Sequence, residues 1–370
     1  MRKVDYAYDV IIIGGGVVGS SIARELSKYK LNTCVLEKEL DVCCETSGRN
    51  SGVLHAGFNN KAGSLMAKFC VEGNENFDEI AKELDIPFKR TGKLVVGFNE
   101  EDKEKLIKMK EQGEANGVKG LEIINKDKIR KLSPYVEGNF ALYSPQTGIL
   151  NPFIYTIAMA ENAVSNGVKY FLDNEVLDIK KVLEKESSIF KIKTNKNVYR
   201  SKWLINSAGL NSDKIGKMMG IEDYTIYPCR GEYFILDQKL GKYLNMPAYP
   251  VPNEKMGGLG IHLTPSIDGN VFIGPSSEYI NSKDDYSTTK EVMDLLIEDG
   301  GRIFPHIKKE YFIRNFSGIR PKLVNKDKGG YDDFKIELRD DITNLINLTG
   351  IESPGLTSAV PIAKYVVSLL

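Results

Sequence analysis

The chain has 370 residues, 42% of them hydrophobic, with 50 Lys plus Arg balanced by 50 Asp plus Glu. Zero formal net charge leaves no basic excess for a nucleic-acid partner and no acidic block for a disordered tail. Five cysteines in no metal-ligand spacing, and a first apolar run far too short to span a bilayer, argue against a disulfide scaffold, a metal module or a membrane span.

Tyr8 to Ile13 reads as a buried strand that runs straight into Gly14-Gly15-Gly16-Val17-Val18-Gly19, a GxGxxG turn. A helix is predicted from about Val17 to Lys28, with Val18, Ile22, Ala23 and Leu26 on one face, followed by a strand from Thr33 to Leu36 that ends at Glu37. Gly14 permits the tight turn, Gly16 lets backbone amides approach a pyrophosphate, and Gly19 lets helix and strand pack closely. The helix N-terminus favours phosphate charge, and Glu37 is placed to accept from a ribose hydroxyl while repelling a 2′-phosphate. The expected ligand is a dinucleotide other than NADP.

The next stretch, GRNSGVLHAGFNNK from Gly48, has neither a helical nor a strand period, yet it carries His55, one of three histidines in the chain. A surface loop and a backbone laid against something flat both fit. Further on, Lys93 to Phe98 alternate into a strand, and Asn99 caps a charged helix over Glu100 to Glu114. Phe140 to Tyr143 and Tyr233 to Leu236 read as strands, and Asp268-Gly269-Asn270 before Val271 to Ile273 is a hairpin signal. The run from Glu175 to Tyr199 reads as a β-meander.

Two later segments repeat the strand–glycine–helix design. Trp203 to Asn206 lead into Ser207-Ala208-Gly209 and a helix from about Ser212, and Leu345 to Leu348 lead into Thr349 to Thr357 and a helix carrying Ala359, Ile362, Ala363 and Val366. A single NAD unit does not need such returns, whereas an FAD site does. A helix N-terminus at the flavin N1–C2=O edge would stabilise the charge that appears on reduction. The final run, ending on two leucines, predicts that the natural chain extends further. The fold class expected is α/β (α+β overall). A Rossmann-like FAD-binding domain spans 1–84, 151–225 and 316–370, and an inserted antiparallel-sheet substrate domain spans 85–150 and 226–315.

GGGVVG with LEKE, SGRNSGVLHAGF, NSAGL, RGEY, GIHLTPSIDGN, SGIRPKL and GIESPGLTSA together resemble the D-amino-acid-oxidase-like superfamily of FAD proteins, in order along the whole chain. The resemblance is strongest to the branch of L-2-hydroxyglutarate dehydrogenases and anaerobic-type glycerol-3-phosphate dehydrogenases. It implies that the segment at Ser47, Arg49, Asn50, Ser51 and Gly52 wraps the flavin, and that His55 lies on the substrate side of the ring. It also implies cofactor contacts at Lys38, Val176, Ala208, Gly209, Gly318, Gly350, Ser353, Gly355, Leu356 and Thr357. The cysteine-rich [2Fe–2S] module common in glycerol-phosphate relatives has no counterpart in this sequence.

With FAD taking the hydride, the protein must orient the donor and remove a proton. Histidine is the usual base near neutrality, and His55 and His262 are the candidates, whereas His306 reads as structural or exposed. A small anionic substrate needs a planar cationic fork, for which Arg320 and Arg230 are the first choices, then Arg314, with Lys322 and Tyr249 nearby; each arginine could equally join the domains. The expected reaction is oxidation of a secondary alcohol on a small anion, with L-2-hydroxyglutarate narrowly ahead of glycerol 3-phosphate. The electron acceptor is a quinone, oxygen or a partner redox protein. An amine or N-methyl amino-acid oxidase and a non-catalytic electron-transfer subunit are the rival readings. The expected location is the cytoplasm, either free or peripheral at the inner face of the membrane.

Overall fold

The computed structural model describes residues 5–184, 187–251, 261–328 and 331–370. It divides the chain into two units, one comprising Met1–Gly48, Phe153–Pro228 and Arg320–Leu370, the other Arg49–Pro152 and Cys229–Ile319.

The first unit is built on an eight-stranded sheet. Its centre is β1 (Asp5–Ile13), an apolar run whose Val10, Ile11 and Ile12 are buried because covered sheet faces leave no polar side. β1 pairs in parallel with β2 (Thr33–Leu36) on one side and with the strand Val198–Asn206 on the other. The crossover from β1 to β2 is α1 (Val17–Leu26), whose buried positions include Ile22, Ala23 and Leu26. Strands Val176–Glu184, Ser187–Thr194 and Val198–Asn206 form the antiparallel meander, and Leu345–Thr349 returns parallel to the end of Val198–Asn206. The predicted short strand at Trp203 is therefore the tail of a nine-residue one. The C-terminal helix, Gly355–Val367, lies against α1.

The second unit carries a nine-stranded sheet and a three-stranded one. The large sheet contains the strands Leu94–Gly97, Ala248–Pro250, His262–Pro265 and Val271–Gly274, over a core that includes Leu94, Ala248, Leu263 and Ile273. The predicted hairpin closes with Pro265 opposite Val271. One pairing departs from the antiparallel expectation: Leu94–Val96 run parallel to Ala248–Pro250, which joins two chain segments far apart in sequence. Asn99 caps the helix Glu100–Ala115 by accepting from the Asp102 N–H at 2.8 Å. Residues 49–84, expected with the nucleotide segments, cluster instead with this second unit. The reason is local pairing, since Val53–Leu54 pairs with Gly148–Leu150, which also pairs with Phe88–Arg90. Among the described residues no helix is long and apolar enough to cross a membrane.

Candidate active site

In the first unit the glycine turn is built by close backbone approach. Gly14 has φ +105°, and a Cβ there would stand 2.6 Å from Ser207 O. A Cβ on Gly19 would stand 2.0 Å from Gly14 O, so only glycine lets α1 begin this close to the strand end. A Cβ on Gly16 would meet Ser47 Oγ at 2.9 Å. That hydroxyl accepts from the Val17 N–H at 2.9 Å and so holds the first turn of α1. Glu37, at the end of β2, accepts from the Gly15 N–H at 2.6 Å and from the Glu39 N–H at 2.8 Å. Burial raises its pKa against the pull of those amides. Lys38 pairs with Glu39 and, at 2.7 Å, with Glu45.

The later glycine returns meet this cradle or its neighbourhood. The Ser207 N–H donates to Ile13 O at 3.0 Å, which sets Ala208 and Gly209 beside the first turn. Val176 is buried at the head of the meander, where the strand register shifts. Gly350, with φ +72°, would place a Cβ 2.3 Å from Leu323. Thr357 is buried in the first turn of the C-terminal helix, Gly355 opens that turn and Leu356 follows it; Ser353 is exposed in the preceding loop. Close by in sequence, Lys322 Nζ pairs with Glu352 at 2.8 Å, and Arg320 adds a second positive charge. Burial raises the Glu352 pKa, opposed by both cations.

The second unit holds the other candidates. Asn50 Oδ1 accepts from the Gly52 N–H at 2.9 Å, with Ser51 half-buried between them. Gly52 sits at φ +67°, where a Cβ would fall 2.1 Å from Leu150 O. Arg49 stacks over the ring of Tyr286 at 4.2 Å, and a Cβ on Gly318 would lie 2.0 Å from Arg49 O. His55 keeps a partly accessible edge, and its carbonyl accepts from Asn74 Nδ2 at 2.9 Å. Desolvation, aided by the charge of Lys93, pushes its imidazole pKa down to about 3. His262 stacks on Tyr249 with ring centroids 4.1 Å apart, and Tyr249 Oη accepts from Asn59 Nδ2 at 2.8 Å. The run quoted as GIHLTPSIDGN begins at Gly260, which lies outside the described residues.

The structure separates the arginines. Arg230 is 5% exposed and bonds Glu278 at 2.7 Å, Asp285 at 2.8 Å and Ser287, with Glu232 at 3.9 Å. Its charge is met by three carboxylates, so it is a poor anion clamp. Arg314 is exposed, and His306 is exposed too, stacked on Tyr243 at 5.3 Å. Lys93 escaped the sequence reading. It is 1% exposed, with its ammonium 4.2 Å over the Tyr249 ring. A lysine heading an apolar strand reads as solvent-facing, and the only available signal was the alternation that puts it on the face of Val95.

A pyrophosphate cradle with an acidic group at the end of the second strand, reinforced by two glycine returns on the same sheet, fits FAD and defines a flavin-dependent oxidoreductase. The chain belongs to the DAO family, FAD dependent oxidoreductases, which it matches over residues 9–369. It is 42% identical over 365 residues to the glycerol 3-phosphate dehydrogenase of Caloramator mitchellensis, covering 98% of this chain and 74% of that one. It is 31% identical over 407 residues to the mitochondrial L-2-hydroxyglutarate dehydrogenase of Nematostella vectensis, covering 97% and 89%. Among solved structures it is similar to the dithionite-reduced L-alpha-glycerophosphate oxidase of Mycoplasma pneumoniae with FAD bound, at TM-score 0.89 and 28% identity, covering 98% of this chain and 94% of that one.

FAD is expected to be held without a covalent bond. His55 is the histidine of the loop after Val53–Leu54, and acid precipitation separates free flavin from a histidyl-linked one. Colour should pass into the supernatant; a coloured pellet with flavin mass on the His55 peptide would contradict the expectation.

Proposed function

We propose that the enzyme oxidises the secondary hydroxyl of glycerol 3-phosphate, with His262 as base and Arg320 as the principal phosphate clamp. FAD, when bound, supplies the hydride acceptor. The hydroxyl proton must go to a protein group, and base strength matters as much as charge state. An imidazole held near pKa 3, as in His55, is neutral at every working pH but a weak base. That leaves His262 as the base and His55 as a neutral ring that hydrogen-bonds and orients the donor.

The observation that carries the substrate reading is the charge density at 320–322. Arg320 and Lys322 both act on Glu352, which brings two positive charges to one place. A phosphate needs one dense positive site, whereas a dicarboxylate needs two separated ones, and Arg230 is already neutralised. The 42% identity to a protein named glycerol 3-phosphate dehydrogenase points the same way. Glycerol 3-phosphate therefore moves ahead of L-2-hydroxyglutarate, reversing the narrow sequence preference.

Anaerobic titration of the yellow protein tests this directly. Glycerol 3-phosphate should bleach the flavin, while L-2-hydroxyglutarate should not. Bleaching by L-2-hydroxyglutarate alone would restore the earlier order. Bleaching only by amines or amino acids would overturn alcohol oxidation, and silence from every compound would favour an electron-transfer subunit.

A further inference from the structure

Lys93 stands at the head of the strand Leu94–Gly97 and is 1% exposed, a burial that lysine rarely reaches without an acidic partner. Among the described residues no carboxylate pairs with it. Its ammonium lies 4.2 Å from the ring centre of Tyr249 and 5.8 Å from that of Phe58. Tyr249, buried and anchored by Asn59, carries His262 stacked at 4.1 Å. His55 feels the Lys93 charge from the loop after Val53–Leu54, and Cys70 faces it from the helix Leu65–Glu75. The remaining titratable neighbours are uncharged, because burial raises the Cys70 thiol and the Tyr249 phenol well above their ordinary values.

We propose that Lys93 is a positioning residue of this site, whose buried ammonium fixes the Tyr249–His262 stack and keeps both imidazoles free of protons. The inference rests on the assignment of His262 as base. A desolvated cation over an aromatic face is attracted by the ring quadrupole, and at 4.2 Å this attraction holds Tyr249 in one place. His55 already feels the Lys93 charge, and His262 is linked to Lys93 through the Tyr249 ring by contacts of 4.1 and 4.2 Å, so a second positive charge on either ring would meet a like charge nearby, where such charges shift titrations by about one unit or more. Each ring therefore meets the substrate hydroxyl as an acceptor, at pH values where a solvated histidine would already be protonated.

Lys93 also carries a stability signature. Desolvation pulls its pKa down to about 7, from about 10.4 in an unfolded chain. The unfolded state then binds more protons between those values, so the residue destabilises the fold in full below about pH 7, and the penalty fades as pH rises to about 10.

The test uses the FAD-loaded enzyme and its three histidines, observed by NMR after isotopic labelling. In Lys93→Met, His55 and His262 should titrate about one pH unit higher or more, with His306 unmoved as internal control. The acid limb of anaerobic flavin reduction should rise in pH by the same amount, and Tm should rise most below pH 7. Lys93→Arg, permanently charged, should retain the wild-type limb. Unmoved His55 and His262 titrations with an unchanged limb would overturn the proposal. If the Met variant does not fold, the wild-type protein decides: His55 and His262 resonances should show a second inflection where Lys93 titrates near pH 7. Its absence would overturn the proposal too. The NMR arm needs no substrate, so its failure is distinct from failure of the substrate assignment.

Discussion

His262→Ala should lower the rate of anaerobic flavin reduction by about 10²–10⁴-fold at saturating substrate, the range that loss of a general base produces. FAD should stay bound, because the glycine turn at Gly14 to Gly19, proposed to receive the nucleotide, belongs to another part of the chain. The fold should survive as well: the strand His262–Pro265 is held by backbone pairing to Val271–Gly274, with His262 opposite Gly274, and alanine keeps those bonds. The loss should therefore fall in the reduction rate and be partly rescued by added imidazole. Arg320→Ala should differ, raising the substrate concentration needed for half-maximal reduction more than it lowers the limiting rate, because a clamp acts first on binding and alignment. Stopped-flow reduction of both variants separates the two patterns. Wild-type limiting rates in His262→Ala would remove it from the role of base.

The parts of this molecule that were legible in the sequence are those specified by local spacing. The strand Asp5–Ile13, the glycine turn, the helix Val17–Leu26 and Glu37 appear where the GxGxxG pattern put them, because strand, turn and helix follow one another within one short segment, where Gly19 answers the contact with Gly14. The hairpin at Asp268 to Val271 and the Asn99 cap are local in the same way. What was not legible depends on partners distant in sequence. The exclusion of Arg230 turns on Glu278 and Asp285, about fifty residues away, which no periodicity around Arg230 reports. The burial of Lys93 turns on Tyr249, brought alongside by the parallel pairing of Leu94–Val96 with Ala248–Pro250. Residues 49–84 show the same thing: the motif from Gly48 is local, but its place in the fold is set by the pairing of Val53–Leu54 with Gly148–Leu150.

Gly19→Ala should yield a protein purified without FAD. The added Cβ would fall 2.0 Å from Gly14 O and 2.8 Å from Ser207 Oγ, distances no side-chain rotation can relieve because the first contact is backbone. Either α1 moves away from the strand end or the turn opens, and both disrupt the amide geometry proposed to receive the pyrophosphate. Overpacking of this kind costs about 1–3 kcal/mol in a core, and more where backbone meets backbone. Gly301→Ala is the matched control: nothing lies within 4 Å of a Cβ there, and it stands in the helix Lys290–Ile303, where alanine is the better helix former. That variant should remain yellow with an unchanged or higher Tm. The ligand itself gives a second readout. FAD at about 100 times its dissociation constant stabilises a folded protein by about 2.7 kcal/mol, so wild-type protein stripped of flavin should gain Tm when FAD is restored. Gly19→Ala should gain none, even where circular dichroism reports a folded chain. A Gly19→Ala protein that carries one FAD per chain at wild-type Tm would mean that α1 does not hold the dinucleotide at this turn.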